Sequence, residues 1–194
     1  MTTREPRGKW SRQPVEVRAD GDELVVEGYA SVFGQRANIG GYFEEQIERG
    51  AFKDAIGRDE VVFLFNHDDG TVMARSSAGN LDLSEDDTGL KVTARLSQDD
   101  PDAAKLAAKM RAGNVNKMSF AFIPDVEEWD DTGDLPLRTI KRASLFDVSA
   151  VTTPAYDGTD IGLRSLEAHR KQRNFSAVRT RMRMKADLAQ RENG

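Results

Sequence analysis

The chain has no cysteine and only two histidines, His67 and His169. The missing cysteine excludes disulfides, thiol nucleophiles, thiolate metal sites and iron–sulfur clusters together. The scarcity of histidine argues against a multi-histidine zinc or iron centre. No apolar run reaches the roughly 18 residues that a membrane-spanning helix needs. The opening stretch, MTTREPRGKWSRQP, lacks the apolar segment of a secretory signal. The phosphate-binding patterns GxxxxGK[ST] and GxGxxG, the HExxH zinc pattern and the GxSxG nucleophile elbow are all missing, as are internal repeats and low-complexity blocks. These absences lead to the expectation of a soluble, cytosolic protein that uses no metal, no cofactor and no membrane.

What is there can build a core. The 194 residues are 38% hydrophobic, which fits one domain of about 150 residues with some tail. The net charge of −5 hides two opposite parts. Residues 161–194 hold nine Lys/Arg against three Asp/Glu, a balance of +6, whereas residues 1–160 hold nineteen against thirty, a balance of −11. Such asymmetry marks a separable basic tail. It reads either as a solvated helical face or as an arm that docks on an acidic partner or on nucleic acid, the latter without sequence-specific contact.

The pattern along the chain predicts an α+β domain, a mainly antiparallel β-barrel flanked by a few helices. Residues 1–13 read as a flexible leader, 14–163 as the domain and 164–194 as a basic tail, helical or disordered. Pro14–Ala19 and Leu24–Phe33 read as a hairpin around Gly21-Asp22. Tyr42–Ile56 shows helical spacing at Phe43, Ile47, Ala51, Phe52, Ala55 and Ile56, with Gly50 as a break. Val61–Phe65 is a short apolar run typical of a buried strand, ending in Asn66-His67-Asp68-Asp69-Gly70 turn chemistry. Val72–Arg75, Gly79–Leu83 and the alternating Leu90–Leu96 read as further strands. Asp100-Pro101 opens a helix that Gly113 closes. Lys117–Ile123, Leu137–Ala143 and Ser144–Val151 complete the strands.

Three residues of the domain could carry chemistry together. His67 follows directly on a buried strand, a place where an imidazole is held rigidly enough to act as a general base. It could equally be a turn histidine bonded to its neighbouring aspartates. Ser119 lies on the face of its strand opposite Phe120 and Phe122. A serine is a poor nucleophile unless a base takes its proton, so a catalytic role would need His67 in hydrogen-bond reach; the plain alternative is a strand serine without a role. Asp147 interrupts an apolar strand, and an acid there needs a partner unless it faces water at a sheet edge. Asp68 and Asp69 are other acids that could orient the imidazole. Asn66-His67-Asp68-Asp69 by itself supplies too few ligands for a metal.

Several short pieces in order resemble the prohead maturation proteases of tailed DNA phages and gene-transfer particles. They are Glu27-Gly28-Tyr29-Ala30-Ser31-Val32-Phe33, Gly50-Ala51-Phe52, Phe65-Asn66-His67-Asp68, Gly89-Leu90, Ser119-Phe120-Ala121-Phe122, and the run Asp147-Val148-Ser149-Ala150-Val151-Thr152-Thr153-Pro154-Ala155-Tyr156. The resemblance covers roughly residues 15–160. It implies a fold similar to the herpesvirus capsid-assembly protease, with residues 14–163 as a serine protease domain. His67 and Ser119 match the family's catalytic pair, and Asp147 stands where the family has an acid. The herpesvirus enzymes place a second histidine there, and here the remaining His169 falls in the tail.

The implied activity is a serine endopeptidase that cleaves the scaffold, or the scaffold-like N-terminal region of the major capsid protein, and also itself. It would work inside the assembling procapsid in the host cytoplasm, and the herpesvirus analogy adds a homodimer. A non-catalytic assembly or scaffolding module on the same fold is the alternative. Backbone amides, with Arg138 or Arg142 assisting, are options for holding the oxyanion.

Overall fold

The computed structural model describes residues 15–152 and 165–172, together with the backbone of residues 5–7. The chain forms two compact units, Met1–Asp157 and Gly158–Gly194. Within the second unit, residues 165–172 are helical. The rest of the expected basic tail, the end of the last motif from Thr153 to Tyr156, and the expected leader apart from residues 5–7 lie outside the described residues. Within that leader, Glu5–Arg7 form a strand, β1.

The first unit holds two sheets. The smaller joins β2 (Glu16–Asp20), β3 (Glu23–Val32), β9 (Gly89–Ser97) and β8 (Leu81–Glu85) in the order β2-β3-β9-β8, all antiparallel. Alternation writes this sheet: along β9, Leu90, Val92, Ala94 and Leu96 are buried while the residues between them are half-buried. Gly89 is required by close approach, because an added Cβ would land on the Ser31 carbonyl oxygen.

The larger sheet is built around β11 (Leu137–Val151). The antiparallel strand β10 (Lys117–Asp130) covers one edge of β11 from end to end. The other edge is shared. Leu137–Ile140 pair in parallel with β5 (Phe43–Ile47), and Asp147–Ala150 pair in parallel with β6 (Val62–Phe65). Beyond these, β4 (Ala37–Ile39) pairs with β5, β7 (Ala74–Arg75) with β6, and β1 with the outer edge of β10. Between the two shared stretches, the Ala143 amide donates to the Ala51 carbonyl at 3.0 Å and the Leu145 amide to the Asp59 carboxylate at 2.8 Å. The short helix α1 (Lys53–Arg58) sits at that junction, with Asp59 as its C-cap. Phe52, Phe120 and Phe122 pack there with ring centroids 5.4 and 5.2 Å apart.

Helix α2 (Pro101–Arg111) begins as its signals require. The Asp100 carboxylate accepts the Asp102 amide at 2.9 Å, proline occupies the first turn, and Gly113 beyond the C-cap adopts φ +75°.

Three expectations are corrected. The described strands form two sheets that do not close into a barrel, since no ladder joins their outer edges; the pairing is mainly antiparallel, as expected, with β5 and β6 joining β11 in parallel. Tyr42–Ile56 is not helical at its start: Phe43–Ile47 is a strand, and only Lys53–Arg58 is α-helix. A spacing of four satisfies both periods, and the buried Glu45 hides the alternation. Leu137–Ala143 and Ser144–Val151 are one strand, and what changes in the middle is the neighbour. Smaller differences lie at Val72–Arg75, where only Ala74–Arg75 pair, and at Gly79–Leu83, where a 3-10 turn over Ser76–Ala78 delays the strand to Leu81.

Candidate active site

Residues two apart on a strand share a face, and so do residues paired across antiparallel strands. Ser149 lies two residues after Asp147 on β11, and Ser119 on β10 is the register partner of Ser149. Asp147, Ser149 and Ser119 therefore stand on one face of the sheet. His67 lies in the turn just after β6, on the far side of β11, two strand spacings or about 10 Å from β10. Its ring must turn back over β11 to meet them.

The backbone does this with two consecutive left-handed residues, Asn66 (φ 55°) and His67 (φ 59°). Left-handed backbone is disfavoured for residues with a Cβ, asparagine being among the more tolerant, so the turn needs external support. Asn66 supplies it. Its amide donates to the Ala150 carbonyl at 3.0 Å, and its side-chain oxygen accepts the Thr152 amide at 3.0 Å. Thr71 adds a tie, its hydroxyl donating to the Asp68 carbonyl at 2.9 Å.

The outcome is a continuous chain of hydrogen bonds. His67 Nδ1 lies 2.6 Å from Asp147 Oδ1, and His67 Nε2 lies 2.6 Å from Ser119 Oγ. A carboxylate only accepts, so Nδ1–H donates to Asp147, and Nε2 is left to accept the Ser119 hydroxyl. The Ser149 hydroxyl donates to the same Asp147 oxygen at 2.9 Å and lies 3.2 Å from Nδ1. Asp147 is nearly enclosed, its side chain 4% exposed against 19% for His67. A buried carboxylate requires such donors.

His67 is not bonded to its neighbouring aspartates: Asp68 closes its own turn by accepting the Gly70 amide at 2.9 Å, and Asp69 is exposed. Asp147 does not face water at an edge, because β11 runs between β10 and β6. Arg138 and Arg142 are both remote from Ser119. Arg138 pairs with Trp129, ten residues along β10 from Ser119, which is about 30 Å of strand. Arg142 pairs with Val126, seven residues away, or about 20 Å.

Two residues of the site carried no sequence-based role. Ser149 has one legible signal, its spacing of two from Asp147. Asn66 has another, a left-handed-tolerant residue immediately before the histidine.

The arrangement can move a proton from a hydroxyl to an imidazole whose far nitrogen is held by a carboxylate. A family described as Caudovirus prohead serine protease matches residues 13–172. The chain is 33% identical over 152 residues to the prohead protease of Enterobacteria phage HK97, covering 76% of this chain and 63% of that protein. It thus spans less than two thirds of that relative's length. The fold is similar to that of the bacteriophage T4 capsid assembly protease, with a TM-score of 0.51 at 17% identity over 78% of this chain and 97% of the other.

Proposed function

Because the chain belongs to the Caudovirus prohead serine protease family, we propose that it is a serine endopeptidase of capsid maturation, with Ser119 as nucleophile, His67 as general base and Asp147 as the group that orients the imidazole. Its substrate is the scaffold or the scaffold-like N-terminal region of the major capsid protein, and its own chain, cut inside the assembling procapsid in the host cytoplasm. The observation that carries this reading is the pair of 2.6 Å contacts that link Ser119 Oγ, both nitrogens of His67 and Asp147 Oδ1 in one line.

The chemistry follows from that line. Ser119 Oγ attacks a peptide carbonyl carbon as its proton passes to His67 Nε2. Asp147 stabilises the imidazolium and fixes its tautomer without itself taking the proton. The imidazolium then gives the proton to the leaving amine as the C–N bond breaks, leaving an acyl ester on Ser119. Water repeats the sequence: His67 takes its proton, the hydroxide attacks the ester, and Ser119 recovers its hydrogen. Ser149 donates to Asp147 and so holds the carboxylate that holds the ring.

Co-expression with the capsid protein and mass spectrometry of the assembled shells tests the reading. The unaltered chain should yield shortened capsid protein with one defined new terminus, and Ser119→Ala should leave it full length. Equal cleavage by Ser119→Ala would remove Ser119 from the chemistry. Normal shells with no cleavage by either would favour an assembly module.

A further inference from the structure

Ser119 has no exposed surface at all (0%) in this structure. A peptide carbonyl can reach its Oγ only after something on that side moves. One edge of β10 is taken along its length by β11. Among the described residues, the other edge is paired by β1 alone, three residues with β10 as their single strand neighbour.

The register of that pairing matters. β1 runs antiparallel to β10, with Glu5 opposite Phe122, Pro6 opposite Ala121 and Arg7 opposite Phe120. The next residue on β10 in that direction is Ser119. An extended peptide in the same register would lie with its N-terminal side at Phe122 and bring its following residue to Ser119. Backbone pairing of this kind gives a peptide affinity without dependence on its side chains. Pro6 has no N–H, so the middle position needs no donor toward β10, and the donors of this short ladder come from Glu5 and Arg7. A three-residue strand held at one edge is easily exchanged.

We propose that the β10 edge from Phe120 to Phe122 is the docking site for an extended substrate peptide, added as an antiparallel strand that leads to Ser119, and that the chain's own Glu5–Arg7 occupies this edge and must be displaced. The proposal rests on the protease reading above and adds to it the binding mode and a built-in competitor. A site that is free only part of the time binds with an affinity reduced by that fraction. Releasing the occupant therefore lowers KM and leaves kcat in place.

The test uses the full chain carrying Glu5→Pro and Arg7→Pro, which remove both donors while leaving the edge of β10 untouched. With a peptide spanning the capsid cut site, KM should fall about tenfold at unchanged kcat, and Pro6→Ala should behave as the unaltered chain. A second measurement needs no activity. A fluorescent peptide of residues 1–12 is titrated, by anisotropy, into Ser119→Ala chains with and without the two prolines. It should bind the proline-bearing chain about tenfold more tightly. Equal affinity for both chains, or binding to neither, overturns the proposal even if the unaltered chain cleaves normally. If that chain never cleaves, the protease reading fails, and the anisotropy result still decides who occupies the edge. Should the double variant not fold, Arg7→Pro alone must shift binding in the same direction, and no shift counts against the proposal.

Discussion

At one end of β11, Arg138 lies between Glu45 and Glu127 with no exposed surface. At the other, Asp147 holds a histidine whose side chain is 19% exposed. Arg138 Nη1 meets Glu45 at 2.8 Å and Nη2 meets Glu127 at 2.6 Å, while its Nε donates to the same Glu127 oxygen at 2.7 Å. Trp129 lies beside the guanidinium, 5.9 Å from ring centroid to Cζ, and packs on Phe43. Both clusters are polar and sit on one strand between the same neighbour, β10, and a parallel partner. They differ in what the groups can exchange. A guanidinium does not release its proton, so the Arg138 cluster can only hold. The His67 cluster joins a hydroxyl, an imidazole and a carboxylate, and a proton can pass along it. The same sheet thus carries a fastening at one end and, on the proposed reading, a reactive chain at the other.

That contrast fails most sharply if activity and stability are not separable. Ser119→Ala and His67→Ala should each reduce peptide hydrolysis on the order of 10⁴-fold or more, and the double variant should lose little beyond either single one, as groups acting as a unit do. Thermal unfolding should barely move for Ser119→Ala. Additive losses in the double variant would mean that the two residues do not act together.

The opposite signature belongs to Arg138→Met. It leaves Glu45 buried without its cation, which costs about 3–5 kcal/mol and lowers the melting temperature by about 10 °C in a chain of this size. At a temperature where the variant is folded, kcat should stay close to that of the unaltered chain. A large drop in kcat without a loss of stability would place Arg138 in the chemistry, against its position about 30 Å of strand from Ser119.

These two clusters also show what the amino-acid order made legible. An acid in Leu145-Phe146-Asp147-Val148-Ser149 and a serine in an apolar alternating strand stand out because burying them alone is costly, and the domain has a single histidine for them to share. The hairpin strands and α2 were readable for local reasons, alternation in the first case and caps in the second. Glu45 and Arg138 were not. Each looks like a surface charge, and their pairing depends on two segments 93 positions apart meeting in parallel. The same pairing turned Phe43–Ile47 from an apparent helix into a strand. Barrel closure is not legible in the sequence, because alternation reports which face of a strand is buried and says nothing about which edges meet. The reversal at Asn66-His67 was readable as a turn, but its left-handed form is held by Ala150 and Thr152, far along the chain.

A finer probe of the reactive end is Ser149→Ala. It removes one of two hydrogen bonds to Asp147 Oδ1 and leaves the His67 bond at 2.6 Å. The expected loss is about tenfold in kcat, in line with the worth of one hydrogen bond to a charged group, with KM unchanged. Ser149→Thr should restore much of it, since it returns the hydroxyl. If both variants match the unaltered chain, Asp147 is held by His67 alone.

The smallest expected effect lies at the junction between the two ends, and its sign can be worked out. The Asp59 carboxylate is held below its ordinary range first by its hydrogen bonds to Arg58, at 2.6 and 3.0 Å, and then by the Leu145 amide. A carboxyl whose folded pKa is depressed binds protons more readily in the unfolded chain. Its stabilisation is therefore complete above the unfolded value, near 3.8, and is lost as the pH falls through the lower folded value. Arg58 is exposed, so solvent screens most of the ion pair, and the larger structural consequence is a weaker acceptor for the Leu145 amide. Asp59→Asn should lower the melting temperature by a few degrees at pH 7, because the amide oxygen accepts more weakly. The gap between the two chains should narrow as the pH is brought below the unfolded carboxylate value. A gap that widens on acidification would mean that Asp59 is not held in its charged form, and that the change of neighbours along β11 is fastened by something else.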